Sequence, residues 1–285
     1  MIVVEAPGAL ALVQDLGRPG WAALGVAPSG AFDRAALRLA HRLVGNPEGA
    51  AGIEALGGGL TLLADAAVVV AVTGADGPLT IVRDGARRQA SRRSPLHLGA
   101  GDRLEVGPPT TGLRSYVAVR GGLAVPRVLG SASFDTLAHL GHAPLAAGDM
   151  LPVGGEVVGD PHVDHAPHRP RTGPVRVVPG PREDWFALDA LASLTATPWE
   201  VSPASDRVGV RLQGPALVRR TPGAELPSEP MVVGALQVPP DGRPVLLGPD
   251  RPSTGGYPVL AVVVDDDLDR VAQLRPGHVV RFAVA

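Results

Sequence analysis

The chain has 285 residues, 45% of them hydrophobic, and its 26 basic side chains against 28 acidic ones give a formal net charge of −2. This balance excludes a protein that binds nucleic acid or a membrane surface through net charge, and the apolar content excludes general disorder. The 37 glycines and 30 prolines, with only 3% aromatic residues, indicate short elements joined by many turns.

Short β-branched runs separated by Gly, Pro and Asp recur along the chain and predict strands. In chain order they are residues 2–5, 61–63, 68–73, 79–83, 115–120, 175–179, 245–247, 259–264 and 279–284. Three amphipathic segments predict helices at Asp33 to Val44, Glu183 to Leu194 and Asp266 to Gln273. The predicted fold class is therefore mainly β, with a few short helices.

One turn pattern occurs three times, with an apolar residue, a glycine three positions later, a polar residue, and then alternating apolar residues. Its glycines are Gly101, Gly148 and Gly277, and Asp102 and Asp149 follow the first two. We interpret the three copies as turns that lead into strands of β-barrels, and not as binding sites.

The N-terminal stretch MIVVEAPGALALVQD carries an acidic residue where a signal peptide has basic ones, and it predicts no export. The longest apolar runs, 66–72 and 259–264, are far shorter than the roughly 20 residues that cross a bilayer. We therefore expect a cytoplasmic protein without a membrane segment, in which these runs are buried strands.

Residues 156–174 read EVVGDPHVDHAPHRPRTGP, which is rich in Pro and His and has no periodicity. We interpret residues 159–174 as a linker. It divides the chain into an N-terminal domain at 1–158 and a C-terminal domain at 175–285.

Two groups of polar residues could in principle hold a metal. His162, His165 and His168 recur at three-residue spacing, but the prolines between them prevent a regular helix. The three acidic residues 265–267 precede a predicted helical turn, where negative charge favours the helix dipole. We therefore predict no metal site.

The sequence contains no cysteine, and all 26 of its basic Lys or Arg positions are arginine. Disulfides, thiolate metal sites, a phosphate-binding Walker lysine and a covalently biotinylated lysine are therefore excluded from this chain. Any anion must be bound through arginine, whose planar fork suits carboxylate and phosphate.

The chain carries no GxGxxG, GxSxG or HExxH fingerprint, so the candidate site residues are polar residues in glycine-rich, aperiodic segments. They are Gln14, Asp15, Arg18, Ser29, Asp33 and Glu54 in the N-terminal half, and Arg207, Arg211, Ser228, Glu229, Gln237, Asp250, Arg251, Thr254, Gly255, Gly256 and Tyr257 in the C-terminal half. Ser29 and Asp33 could instead cap the first helix, and Asp250 and Arg251 could pair across a turn. If Arg207 or Arg211 faces inward, its partner is a protein carboxylate such as Asp250 or Glu229, or the carboxylate of the substrate. Together the candidates predict a pocket for a small anionic substrate.

Eight segments resemble, in order, one protein family. They are QDLGRPG, GVAPSGAFD, LVGNPEGAAGIE, SYVAVRGG, SDRVGVRLQGP, GALQVPPDGRPVLL, DRPSTGGYP and AQLRPGHVVRF. They resemble the biotin-dependent carboxyltransferase-like family, of the allophanate hydrolase subunit 2 type, over nearly the whole chain. Its members include the C-type subunit of bacterial ATP-hydrolysing 5-oxoprolinase.

The resemblance implies two tandem cyclophilin-like β-barrel domains and a carboxyltransferase-like partner chain of the B type, with a TIM-like, lactam-opening chain of the A type as a further partner. The implied function is that of the C-type chain in an ATP-dependent 5-oxoprolinase complex that opens the 5-oxoproline lactam to L-glutamate. ATP and Mg²⁺ would belong to the complex, and this chain alone would be inactive. Arg207, Asp250 and Arg251 would be catalytic, and the other candidates would bind substrate.

Two alternatives stay open within the family. One is a non-catalytic regulator that binds a kinase-inhibitor-like partner, and the other is a urea or amide carboxyltransferase that works with biotin on another chain. The chain also departs from the family pattern, with Val208 in place of Met, and Pro252 and Ser253 in place of Gln and Thr. Loss of the glutamine amide removes one possible substrate contact.

A further departure lies in the segment 131–148, where His139 and His142 replace the glycine-rich elements of the family. We interpret the two histidines as residues of a solvated loop rather than as an acid–base pair.

Overall fold

The structure is a computed structural model that describes residues 1–161, 165–167, 172–221 and 223–285. The chain forms two compact units that interleave along the sequence. Unit 1 comprises Met1–Arg18, Asp33–Asp135 and His139–Pro170, and unit 2 comprises Pro19–Phe32, Thr136–Ala138 and Arg171–Ala285. Two short segments of the N-terminal half thus group with unit 2, whereas the linear boundaries deduced from the sequence, with their linker, stay a prediction.

Unit 1 consists mainly of strands. These are β1 (Ile2–Pro7), β2 (Leu10–Gln14), β3 (Gly52–Leu56), β4 (Leu60–Ala64), β5 (Val68–Asp76), β6 (Leu79–Arg83), β7 (Ala86–Gln89), β8 (Leu96–Leu98), β9 (Arg103–Val106), β10 (Thr111–Val119), β11 (Gly121–Leu123), β12 (Met150–Leu151) and β13 (Val153–Glu156). One sheet has the order β12-β1-β4-β9-β6-β7, a second has the order β2-β3-β10-β5-β8, and β11 pairs with β13. Alternate apolar side chains of the sheets, such as Val4, Leu62, Ile53 and Val117, form the buried core.

Unit 2 is built around one large sheet. Its strands are β14 (Val175–Pro179), β15 (Trp199–Val201), β16 (Gly209–Gln213), β17 (Glu229–Pro230), β18 (Ala235–Gln237), β19 (Val245–Leu247), β20 (Thr254–Gly255), β21 (Val259–Val263), β22 (Val279–Val280) and β23 (Phe282–Val284). The main sheet has the order β22-β15-β16-β19-β18-β21-β14-β23, and β17 pairs with β20. Because β22 and β23 are consecutive pieces of one run at opposite edges, the sheet nearly closes into a barrel.

Every strand predicted from a β-branched run overlaps a strand of the structure, and the mainly β class is confirmed. The helix predicted at 33–44 is α1 (Arg34–Leu43), and the one predicted at 266–273 is α3 (Asp265–Val271). In the described part of the chain, no helix is long and apolar enough to cross a membrane.

The single helix predicted at 183–194 is wrong in its extent. A 3-10 helix at Glu183–Trp185 is followed by an extended Phe186, and α2 runs over Ala190–Ala196. Phe186 is buried in the core of unit 2 and forms a β-bridge with Arg219. Pairing of this residue with a neighbouring strand segment therefore outweighs the helical periodicity.

The repeated pattern forms turns, as predicted. Gly101, Gly148 and Gly277 have φ values of 87°, 94° and 80°, in the left-handed region that glycine tolerates. The carboxylates of Asp102 and Asp149 each accept a hydrogen bond from the backbone N–H three residues earlier, at 2.7 and 2.8 Å. These side chains stabilise their own turns.

The C-terminal end of α1 carries a buried histidine, His41. Asn46 Nδ2 lies 3.1 Å from His41 Nδ1 and donates to Val119 O at 2.7 Å, while its Oδ1 accepts from Gly121 N. This network orients the Asn46 amide, so its N–H meets an unprotonated Nδ1 and the imidazole is neutral. Burial lowers the pKa of His41 from 6.5 to about 4, although the Ala50 backbone and the charge of Asp15 oppose this shift.

We expect His41 to make unit 1 sensitive to acid. Between pH 6.5 and about 4, the unfolded chain binds a proton at this histidine that the folded chain does not. The unfolding free energy should therefore rise with pH across this window, and about 3 kcal/mol should be lost as the pH falls through it. Urea unfolding measured from pH 4 to 7.5 checks this.

The matched comparison uses His41→Gln and the exposed His97→Gln. The first substitution should flatten the pH dependence of the unfolding free energy, and the second should leave it as in the wild type. An unchanged slope in His41→Gln would show that other groups cause the acid sensitivity.

Candidate functional site

Antiparallel pairing of β16 with β19 brings two candidate residues together in unit 2. Arg207 lies just before β16 and Asp250 lies just after β19. Because the two strands are antiparallel, both residues lie at the same end of this strand pair. Backbone bonds from Gly248 N to Val208 O at 2.9 Å and from Asp250 N to Arg207 O at 3.2 Å continue the pairing past the strands. The strand register therefore places the carboxylate opposite the guanidinium.

Asp250 is the centre of a buried network. Its side chain has 0% exposure, and the Arg207 side chain has 3%. Arg207 donates from Nε to Oδ2 at 2.8 Å and from Nη2 to Oδ1 at 3.0 Å. Ser29 Oγ donates to Oδ1 at 2.7 Å, and Thr136 donates to Oδ2 from its N and Oγ1 at 3.0 and 2.8 Å. These contacts surround both carboxylate oxygens with protein donors.

The Arg207–Asp250 pair is ionic. Burial alone would raise the pKa of Asp250. The charge and hydrogen bonds of Arg207, together with hydrogen bonds from Thr136 and Ser29, instead hold this pKa below its usual range. An ionised carboxylate whose oxygens already accept several hydrogen bonds is a poor proton acceptor. The contacts therefore indicate that this pair positions the chain around it, and a catalytic role for either residue stays a prediction.

Ser29 belongs to this network and does not cap a helix. Its backbone is in the left-handed region, with φ of 52°, and its N–H donates to Pro249 O at 3.2 Å. A non-glycine residue persists in this conformation where its surroundings hold it. The hydroxyl bond to Asp250 supplies part of that constraint.

Arg251, the next residue along the chain, has no such partner. It is 8% exposed, and in the described residues no carboxylate pairs with it. Its Nε is buried and has no hydrogen-bond partner in the described part of the chain, and Nη1 reaches Pro252 O at 3.5 Å. Burial lowers the pKa of Arg251, yet arginine stays protonated at neutral pH. Asp250 and Arg251 thus do not pair across a turn, and Arg251 is left as a largely buried cation with no carboxylate partner in the described residues, which an anion would stabilise.

The segment after Arg251 packs against the amide of Gln237. Pairing of β17 with β20 places Gly255 opposite Glu229, and Gln237 Nε2 donates to Tyr257 O at 3.1 Å. A Cβ at Gly255 would lie 2.6 Å from Gln237 Nε2, so glycine allows this close approach. Ser253 Oγ is buried there without a hydrogen-bond partner. Unpartnered polar atoms thus lie near Arg251 in the chain.

The other C-terminal candidates lie nearer the surface. The exposed ones are Arg211, Ser228, Thr254 and Tyr257, and Gly256 is partly exposed. Glu229 pairs with Arg182, whose Nε donates to Oε2 at 3.0 Å. Hydrogen bonding from Arg182 lowers the pKa of Glu229. Glu229 therefore has a protein partner and leaves Arg251 uncompensated.

Three N-terminal candidates lie in one network of unit 1. Asp15 Oδ1 accepts from the hydroxyls of Ser131 and Ser133, each at 2.6 Å. Gln14 and Arg18 donate to backbone oxygens of the same segment. The three side chains are buried and hold this segment in place, and their substrate-binding role stays a prediction.

Asp33 and Glu54 lie in a second network of unit 1. Asp33 Oδ1 accepts from Ala36 N at 2.8 Å, so this residue caps α1, as one interpretation of the sequence has it. Tyr116 OH accepts from Asp33 N and donates to Glu54 Oε2, each at 2.8 Å. Glu54 Oε1 also lies 3.4 Å from Arg114 Nε. Burial, followed by the charges of Glu54 and Asp33, raises the pKa of Tyr116 well above its usual value.

Sequence reasoning missed Thr136 and Tyr116. Thr136 lies in the segment that departs from the family pattern, and no local signal connects it to a carboxylate 114 residues away. Tyr116 occupies a central strand position that is typical of a core aromatic residue. His139, which lies in the same departing segment as Thr136, is exposed and has a left-handed φ of 54°.

The described residues contain no group of three His, Asp or Glu side chains that could hold a metal. Asp267, in the first turn of α3, accepts from Arg176 Nε and Nη2 at 3.0 and 3.1 Å. It therefore pairs with an arginine, and residues 265–267 form the first turn of α3, the position that the dipole interpretation requires. His165 is exposed, and His162 and His168 lie outside the described residues.

A family model, carboxyltransferase domain, subdomain A and B, matches residues 24–284. The chain belongs to this carboxyltransferase family. It is 35% identical to the C-type subunit of the 5-oxoprolinase of Escherichia coli, over 99% of this chain and 90% of that protein. It is 31% identical to urea amidolyase of Lachancea kluyveri over 98% of this chain, but spans 16% of that longer protein.

A solved structure of another family member has a similar fold. The crystal structure of the K. lactis urea amidolyase matches with a TM-score of 0.90 and 31% identity, over 99% of this chain and 18% of that chain. The family predicted from the eight segments and its tandem cyclophilin-like fold are therefore confirmed.

Proposed function

We propose that this chain is the C-type subunit of an ATP-dependent 5-oxoprolinase complex, which opens the lactam of 5-oxoproline to L-glutamate. The similarity to the corresponding E. coli protein supports this assignment. The proposal includes a cytoplasmic location, a B-type partner chain and a TIM-like A-type chain. The isolated protein is expected to be inactive.

The observation that carries the proposal is the buried side chain of Arg251, which pairs with no carboxylate among the described residues. A cation in this position is stabilised by a substrate that brings its own carboxylate. 5-Oxoproline carries a carboxylate next to its lactam, whereas urea is neutral. The chain would thus use Arg251 to hold the substrate carboxylate and so to fix the position of the lactam.

The neighbouring side chains have supporting parts in this proposal. The Arg207–Asp250 pair fixes the backbone next to Arg251, and the unpartnered Ser253 Oγ is available for a hydrogen bond to the substrate. Neither assignment needs a proton transfer. The chain's own contribution would be binding and orientation.

ATP would activate the lactam, because an amide is a poor electrophile and phosphorylation of its oxygen makes it reactive. Two features common in nucleotide sites are missing from the residues that the structure describes. Lysine is missing from the whole sequence, and no cluster of acidic and histidine ligands exists in the described part of the chain. We therefore assign ATP and Mg²⁺ to the assembled complex, and not necessarily to this chain, and we assign no covalent biotin to this chain.

A urea or amide carboxyltransferase is the second candidate. It is supported by the similarity to urea amidolyases of L. kluyveri and K. lactis over nearly the whole chain. In that case biotin would come from another chain or domain, and Arg251 would contact the carboxyl group that biotin carries.

Co-expression with the B-type and A-type chains tests the proposal. The purified complex should release phosphate from ATP when 5-oxoproline is added, and should form glutamate in equal amount. Complexes that lack this chain, and this chain alone, should do neither. Dependence on urea and bicarbonate in place of 5-oxoproline would favour the second candidate, and turnover by this chain alone would contradict the shared site.

A further inference from the structure

Two adjacent arginines meet at one turn of unit 1. Arg92, 6% exposed, donates from Nε to Gly77 O at 2.9 Å and from Nη1 to Ser115 Oγ at 3.0 Å. Arg93 Nη1 lies 2.6 Å from Asp76 Oδ1, and its side chain is 13% exposed. Because Asp76 and Gly77 are consecutive, both guanidinium groups reach the turn between β5 and β6.

The two guanidinium groups carry more positive charge than this turn neutralises. Arg93 pairs with the carboxylate of Asp76, whereas no carboxylate pairs with Arg92 in the described residues. Burial lowers the pKa of Arg92, the charge of Asp76 opposes the shift, and Arg93 adds to it. Arg92 is nevertheless a cation at neutral pH.

Both arginines carry donor groups without acceptors. Arg92 Nη2 and Arg93 Nε are buried, and neither has a hydrogen-bond partner among the residues that the structure describes. The Ser115 hydroxyl accepts from Arg92, and in the described residues no acceptor takes its own proton. Buried donors are almost always satisfied in proteins, and each unsatisfied one costs free energy. An anion bound at this turn would supply acceptors for such donors and would also balance the charge.

The backbone holds the pair in place. Arg93 has a left-handed φ of 58°, its N–H donates to Val72 O at 2.8 Å, and its carbonyl accepts from Ala166 N at 2.9 Å. A bulky residue is costly in this conformation, so the surrounding bonds must enforce it. The turn therefore presents the two arginines in a fixed arrangement.

We propose that Arg92, Arg93 and Ser115 form a binding site for a small oxoanion in unit 1. Its ligand class is an anion with several acceptor oxygens, such as phosphate, bicarbonate or a short carboxylate. The partial exposure of Arg93 offers the route of entry. This site does not include Arg251 of unit 2, and it does not depend on the proposed function.

Calorimetric titration of the isolated chain with inorganic phosphate tests the site, at an ionic strength held constant with sodium chloride. The Arg251→Ala background is used throughout, so that the candidate site of unit 2 cannot contribute. We expect saturable binding whose Kd rises at least tenfold in Arg92→Gln and severalfold in Ser115→Ala. Parallel titrations with bicarbonate and acetate identify the preferred oxoanion.

Arg88→Gln is the matched control, because Arg88 is an exposed arginine of the same unit. Its Kd should equal that of the Arg251→Ala background. Absence of saturable binding of all three anions, or an unchanged Kd in Arg92→Gln, would overturn the proposal. If Arg92→Gln does not fold, Ser115→Ala decides, since that variant keeps both cations, and an unchanged Kd in it contradicts the site.

Discussion

Replacing Asp250 with alanine is expected to destabilise unit 2 by about 3–5 kcal/mol, because the substitution leaves the Arg207 guanidinium buried without its counter-charge. It also removes the acceptor of the Ser29 and Thr136 hydroxyls. Chemical unfolding followed by circular dichroism measures the loss. In the assembled complex, activity should fall in step with the folded fraction.

A double variant separates the effect of the unpaired charge from the other effects of the Asp250 substitution. The variant Asp250→Ala/Arg207→Met should be more stable than Asp250→Ala, because it no longer buries an unpaired charge. Asp189→Ala is the control, since Asp189 is exposed and its side chain makes no capping bond, and its effect should stay within about 0.5 kcal/mol. A fully stable Asp250→Ala protein with greatly reduced activity would instead place Asp250 among the catalytic residues.

Arg251→Ala is expected to lower the activity without destabilising the fold. The side chain has no carboxylate partner in the described residues, so its loss breaks no ion pair and should not lower the unfolding free energy. If Arg251 binds the substrate carboxylate, kcat/KM for 5-oxoproline should fall by about 30- to 4,000-fold, which corresponds to about 2–5 kcal/mol. Melting curves and steady-state kinetics on the same preparation of the complex measure both quantities.

Arg243→Ala serves as the control for this prediction. Arg243 is an exposed arginine of unit 2, and its substitution should change neither the melting curve nor kcat/KM. A folded Arg251→Ala complex with wild-type kinetics would remove Arg251 from the site. The candidates of unit 1 would then be the next to test.

Much of the fold follows from local sequence signals. Runs such as 68–73 and 259–264 are β-branched and bounded by turn residues, and they form β5 and β21. Asp33 and the amphipathic pattern after it define α1. The pattern fails at Phe186, where burial in the core and a β-bridge to Arg219 depend on residues distant in sequence.

The site was predictable in part. Loop composition singled out Arg207, Asp250 and Arg251, but it left two partners open for Asp250, namely Arg251 across a turn and an inward-facing Arg207. The register of β16 on β19 decides that Asp250 faces Arg207, and a long-range register is invisible to local patterns. The contribution of Thr136 is equally non-local.

The most direct test of the account compares 5-oxoproline with its uncharged carboxamide in the wild-type complex and in Arg251→Ala. If Arg251 holds the substrate carboxylate, the wild type should strongly prefer the acid, and the variant should treat the two compounds almost alike. The coupling free energy from the four kcat/KM values should then be about 2–5 kcal/mol. An identical preference in both proteins, and thus a coupling energy near zero, would contradict the account.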